Sequence, residues 1–288
     1  MNAVCFVMSG AAHAPYLATA LWTLRQHYWG PVIVFAWPES HDVVGKLCAD
    51  TRISATCVKH EPAYRGKNSQ FLDKLRCMQS LDFNAVLYLD ADVLVYEDPT
   101  ALLSQFREYS NLEFIATQFN DWHSNQGQPQ NRVRHLIDRH PISQPAVHAA
   151  LTTAYPSPNG GVFAARPGSD ILKLWETWTA AVLDLFIADE TCLHAIVAQF
   201  YGQPSFKVEL GGAWNCSPKY QPLSLPHDEV AILHGHGDCW TRPDKSPRGA
   251  NHWAAAFRTV LDLNIGGIRG WWRDCGNKHL NAIASNFS

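Results

Sequence analysis

The run Leu87-Tyr88-Leu89-Asp90-Ala91-Asp92-Val93-Leu94-Val95 constrains this chain more than any other stretch. Two carboxylates interrupt a segment otherwise fit for the centre of a sheet. Burying two like charges costs several kcal/mol each, on the order of an ion-desolvation penalty, unless something compensates. A strand sends residues two apart to the same side, so the pattern predicts that both carboxylates converge at a strand end. A hard divalent cation, Mg²⁺ or Mn²⁺, compensates them and also binds the oxygens of a diphosphate. Taken alone, the pair better suits two turn-forming Asp that cap a strand, because short motifs recur by chance.

The run sits in a regular setting. Val4 to Met8, Val32 to Ala36, Ala55 to Lys59 and Ala85 to Leu89 read as strands. Between them, His13 to Tyr28, Asp42 to Ala49 and Gln70 to Leu81 carry apolar residues at helical spacing. Repeated strand-helix-strand units predict an α/β fold with a mostly parallel sheet flanked by helices, its first half Rossmann-like. Such sheets bind ligands beyond the carboxyl ends of their strands, which singles out Ser9, Gly10, His13 and Tyr16 after the first strand.

The second half is less regular. Phe114 to Thr117 and Gly161 to Ala165 read as strands, and Ile171 to Phe186 and Glu190 to Tyr201 as helices. Val230 to His234 reads as a last buried strand, and Asn251 to Leu263 as a last helix. From Gln118 to Pro158 the chain is polar and broken by Pro129, Pro141, Pro145 and Pro156, with a helix expected near Arg132 to Arg139.

Composition narrows the ligand. A formal net charge of -3 over 288 residues leaves no basic field for nucleic acid, so an anionic ligand has to be held locally. The eight cysteines show no CxxC pair and no zinc spacing, and several lie in apolar runs, which favours reduced thiols and a cytoplasmic setting. MNAVCFVMSG lacks the basic start of a signal peptide, and no apolar run reaches the ~20 residues that span a bilayer. The 11 Trp suit sugar stacking but equally suit a core.

Several motifs in order resemble the glycogenin-like glycosyltransferases, which have the GT-A fold. Phe71-Leu72-Asp73-Lys74-Leu75-Arg76 leads through Asp90-Ala91-Asp92 to Asp98-Pro99. There follow Asn159-Gly160-Gly161-Val162, Asp189-Glu190-Thr191-Cys192-Leu193-His194 and His234-Gly235-His236-Gly237. The likeness implies one GT-A domain over 1–288, with a nucleotide-sugar half (1–117) and an acceptor half (118–288). It implies Mn²⁺ or Mg²⁺ on Asp90, Asp92 and His234, with His236 as the alternative to His234. The donor it implies is a nucleoside-diphosphate hexose, with UDP as the nucleotide, and the acceptor a carbohydrate or other hydroxyl. Retention of anomeric configuration also follows from the likeness alone.

In that scheme Lys74, Asp90, Ala91, Asn159, Gly160, Gly161 and Gly237 meet the donor, beside Ser9, Gly10, His13 and Tyr16. Asp189, Glu190 and Lys74 form the catalytic set, with Asp189 on the sugar hydroxyls and Glu190 at the anomeric carbon. Two positions depart from the family. Its phosphate-binding Lys is Trp240 here, with Arg242 as the substitute, and its Gln is Glu190. Arg65 and Lys67 suit a solvated basic face better than a phosphate contact. Two other functions share the central motif. A haloacid-dehalogenase-type phosphatase also carries Asp-x-Asp after a hydrophobic strand, though near its start. A non-catalytic nucleotide-sugar-binding protein would keep the same pocket without turnover.

Overall fold

The computed structural model describes residues 1–62, 64, 66, 68–119, 131–218, 229–235 and 247–274. His236, Gly237, Trp240, Arg242, Arg65, Lys67 and Pro129 lie outside these residues, as do Cys239 and Cys275.

Strands β1 (Asn2–Met8), β2 (Val32–Ala36), β3 (Thr56–Lys59) and β4 (Ala85–Leu89) form on the apolar runs of the first half. After them come β5 (Val93–Val95), β6 (Phe114–Gln118), β7 (Pro158–Ala165), β8 (Phe206–Glu209) and β9 (Ile232–His234). Seven strands make one sheet of order β3-β2-β1-β4-β7-β6-β8, while β5 and β9 pair separately. The β1–β4, β2–β3 and β6–β8 pairs are parallel. β7 runs antiparallel to both β4 and β6. The fold is α/β with a mostly parallel sheet.

The helices are α1 (Ala14–Arg25), α2 (Pro38–Ala49), α3 (Ser69–Gln79), α4 (Thr100–Glu108), α5 (Gln144–Thr152), α6 (Asp170–Ala181), α7 (Ala188–Phe200), α8 (Pro247–Asp262) and α9 (Ile268–Asp274). α2 starts four residues ahead of the expected Asp42, because Pro38 fits a first helical turn, where its missing N–H costs nothing. α6 stops at Ala181 rather than Phe186. The expected helix near Arg132 to Arg139 is present only at its start: residues 131–133 are α-helical and pass into a 3₁₀ turn at Arg134–Leu136, after which Asp138 takes a positive φ of 59°.

By contacts the chain divides into two compact units that interleave in sequence. The first comprises Met1–Cys5, Pro62–Leu89 and Pro99–Asn215. The second comprises Phe6–Glu61, Asp90–Asp98 and the described residues from Cys216 on. In the first unit β4 and β7 are buried along their whole length, and Phe163 stacks on Phe114 and meets Trp175 edge-on. In the second, α1 buries Leu17, Leu21 and Leu24, and Arg25 is buried as well. Its guanidinium satisfies the carbonyls of Tyr28, Gly30, Ile53 and Ser54, so the buried charge ties down two loops.

The six described cysteines are free thiols. No helix among the described residues is long and apolar enough to cross a membrane.

Candidate functional site

Two clusters of polar side chains stand out, one in each unit. In the second unit, Asp90, Ala91 and Asp92 form a turn before β5 begins at Val93. The carboxylates therefore converge through a turn and not through strand alternation, which corrects the expectation from sequence. The turn is fixed from the far end of the chain. β5 pairs antiparallel with β9, Val93 opposite His234, and Gly235 N donates to Asp92 O at 2.7 Å. On its other side β9 is held by Cys216, whose carbonyl accepts from His234 N at 2.8 Å.

This pairing sets His234 Nε2 3.6 Å from Asp90 Oδ2 and 3.3 Å from Asp92 Oδ1. One ligand atom from each of the three residues lies within 4.8 Å of the others. His234 is buried, while the two Asp are about one-third exposed at 35% and 30%, so the cluster opens to one side. Burial lowers the His234 pKa, but Asp92 and Asp90 outweigh it and hold the imidazole up at about 9. The field that attracts this proton equally attracts a divalent cation, whose binding would release the proton. Two carboxylate oxygens and one imidazole suit Mn²⁺ or Mg²⁺, and the residues present fit such an ion.

The carboxyl end of β1 also lies in the second unit. Ser9 and Gly10 follow the strand, His13 closes a 3₁₀ turn and Tyr16 lies in the first turn of α1. All four are at least partly exposed, and the Tyr16 ring lies 5.3 Å from that of Trp253.

The other cluster is in the first unit. Lys74 of α3 pairs with Asp189 of α7 and donates to Gly160 O at 2.8 Å. Both ends of the ion pair are buried, at 5% and 3% side-chain exposure. The Lys74 ammonium also lies 5.5 Å from the Tyr88 ring centroid and 5.7 Å from that of Trp175. Asn159, Gly160 and Gly161 lie within β7, not in a turn before it. Gly160 is required for space rather than for φ. A Cβ there would sit 3.0 Å from both Asp189 Oδ2 and Lys74 Nζ.

Glu190 accepts from Arg132 Nη1 at 2.7 Å and from Asn159 Nδ2 at 3.1 Å. Burial raises its pKa; Arg132 and Lys74 oppose this, and Asp189 adds to it. α7 begins after Ile187, a β-branched residue at φ 53°, a conformation that costs about 1–3 kcal/mol. The strain is held by Thr191, whose N–H and hydroxyl both donate to Ile187 O at 3.0 Å. Asp189 and Glu190 are thereby set in the first turn, and Trp175 Nε1 donates to Asp189 O.

Three polar residues of this cluster were not read as site residues from the sequence: Arg132, Thr117 and Asn215. Asn215 Nδ2 donates to Thr117 Oγ1 at 2.9 Å and to Asn159 Oδ1 at 3.3 Å. None of them carries a local motif, and only proximity in the fold reveals them.

His194, one turn beyond Glu190, is wholly buried against the Tyr155 hydroxyl at 3.0 Å. Desolvation first, and Arg132 second, hold its pKa down at about 3. An unfolded chain protonates this residue near 6.5, so below that pH the unfolded state binds more protons. Stability should therefore fall as pH drops from about 6.5 toward about 3, by up to about 1.4 kcal/mol per pH unit from this residue. Above 6.5 the contribution is constant. Urea melts of wild type and His194→Asn at several pH values check this; equal slopes between pH 6.5 and 4.5 would refute the assignment.

No family model and no curated protein matches this chain. Solved structures do match. The galactosyltransferase LgtC, in complex with donor and acceptor sugar analogs, superposes with a TM-score of 0.62 at 17% identity, over 90% of this chain and 96% of that one. It has the GT-A glycosyltransferase fold. Mouse xyloside xylosyltransferase 1 in its apo form matches at a TM-score of 0.54 and 15% identity, over 83% of this chain and 98% of its own. The glycosyltransferase GlyE of Streptococcus pneumoniae matches at 0.55 and 14%, over 91% of this chain and 64% of its own.

Proposed function

We propose that this protein is a metal-dependent glycosyltransferase that moves a hexose from a nucleoside-diphosphate sugar, with UDP as the nucleotide, to a hydroxyl acceptor. The observation that carries the reading is the Asp90, Asp92 and His234 triad, set by one turn and one strand pairing in a chain with the GT-A fold. LgtC, which has the same fold, was crystallised with donor and acceptor sugar analogs, and this chain's ligands are proposed to be of those two kinds.

Asp90, Asp92 and His234 hold the cation. The chemistry that Mn²⁺ or Mg²⁺ supplies there is neutralisation of the departing diphosphate. Ser9, Gly10, His13 and Tyr16 receive the base and ribose beyond β1, as the crevice rule for open sheets requires. Ala91, Asn159, Gly160 and Gly161 complete the donor contacts. Asp189, fixed by Lys74, orients sugar hydroxyls, and Glu190 faces the anomeric carbon as a carboxylate. A carboxylate there stabilises an oxocarbenium-like centre better than the family's amide does, and retention is the stereochemical outcome proposed. Gly237 and Arg242, proposed as diphosphate contacts, lie outside the described residues.

UDP with Mn²⁺ should raise the melting temperature by about 5 °C at a hundredfold excess over Kd, since a ligand of the folded state stabilises it by about 2.7 kcal/mol under those conditions. The decisive assay is a screen of nucleotide sugars with Mn²⁺, read by released nucleoside diphosphate. A shift with GDP or CMP but not UDP would move the donor class. No release from any donor, with or without a hydroxyl acceptor, would remove the reading.

A further inference from the structure

Glu190 brings a second carboxylate into a buried place where Asp189 already holds one, and the nearby Lys74 is paired with Asp189. Where the family has a neutral glutamine, this chain needs an added cation. Arg132 provides it, with Nη1 2.7 Å from Glu190 Oε1.

The hydrogen-bond directions favour the ionised form of the carboxyl group. Arg132 can only donate. Asn159 must present its amide nitrogen to Glu190 Oε2, because its own Oδ1 accepts from Gly161 N at 2.8 Å, a group that can only donate. Both oxygens of Glu190 therefore meet obligate donors, which favours the ionised carboxylate, the form that accepts fully at both oxygens.

We infer that Arg132 is a positioning residue for sugar transfer, holding Glu190 as an aimed anion against the cost of its burial. This rests on the role given to Glu190 in the proposed function. Among the described residues, other charged or titratable groups near Glu190 are already paired, neutral or exposed. Asp189 adjoins it on α7, and Lys74 reaches in from α3 to pair with Asp189. His194, one turn on, is neutral. On α6, Glu176 is bound by Arg76 and Gln79. On α5 the one titratable residue is His148, which is exposed, and β7 has none.

The test compares wild type, Arg132→Met, Arg132→Lys and Glu190→Gln, with kcat measured from pH 5.5 to 9 on the donor found by the screen. Without Arg132 the carboxyl group takes up a proton at higher pH, and each unit of upward shift lowers the ionised fraction about tenfold on the acid side. Arg132→Met should lose at least about tenfold in kcat at pH 6 and recover to within about threefold of wild type at pH 9. Arg132→Lys should restore the wild-type shape of the profile, and Glu190→Gln should be low at every pH. A second readout needs no turnover. At pH 6 an infrared difference spectrum of Arg132→Met against Arg132→Met/Glu190→Gln should show a protonated-carboxyl C=O band. A profile for Arg132→Met parallel to wild type, with no such band, would overturn the inference. If no donor is turned over, the transfer reading falls and the band alone decides the charge state: present, Arg132 holds Glu190 ionised; absent, the inference fails as well.

Discussion

Asp92→Asn should yield a folded protein that no longer binds Mn²⁺ measurably and no longer transfers sugar. The side chain is 30% exposed and lies in a turn whose backbone is held by Gly235 N on Asp92 O, a bond the substitution leaves in place. The melting temperature of the metal-free protein should accordingly stay within about 3 °C of wild type. Outer-shell partners of metal ligands already cost about 10–100-fold when removed, and a direct anionic ligand should cost more. Titration calorimetry with Mn²⁺ and the nucleoside-diphosphate release assay measure the two losses separately. Undiminished transfer by this variant, or by wild type in excess EDTA, would remove the metal from the reaction.

The largest effect on stability is expected at Lys74. Lys74→Met keeps the apolar stem but removes the ammonium, leaving Asp189 charged and 3% exposed, with Gly160 O deprived of its donor. Breaking a buried pair from one side costs about 3–5 kcal/mol, a sizeable part of the roughly 5–15 kcal/mol that separates a folded domain from its unfolded chain. Adding Asp189→Asn to Lys74→Met should recover most of the loss, because the charge stranded by the first change is then gone. Urea unfolding of the two single variants and the double variant gives the coupling directly. A cost below about 1 kcal/mol for Lys74→Met would mean that the pair does not hold α3 to α7.

What the sequence made legible follows from how locally each feature is encoded. β2 and β4 appear at their expected bounds, because an uninterrupted apolar run between turn residues has few other uses. β8 alternates buried and half-buried residues over four positions and was not recognised, nor were α4 and α5, whose apolar spacing is short. The direction of β7 could not be read at all, since a run of buried residues looks the same in either sense. Among candidate site residues, Asp90 and Asp92 announced themselves by placing charge in an apolar run. His234 was reached through its strand and the family resemblance. Arg132 was invisible as a site residue because the reason for it is Glu190, 58 positions away. Thr117 and Asn215 were missed for the same cause: each answers a partner supplied only by the fold.

The pairing of β5 with β9 also has a consequence for the order in which the protein is made. β5 is made well before its partner Ile232–His234, which follows only after β6, β7 and β8. Closing so long a loop carries an entropic cost that grows as the logarithm of its length, and nothing in β5 itself can meet that cost earlier. The nascent chain thus carries Asp90 and Asp92 without the imidazole that completes the set until His234 has been made. A chain interrupted between Asp92 and His234 retains both carboxylates and lacks the third ligand, so termination there gives a product that cannot assemble this ligand set.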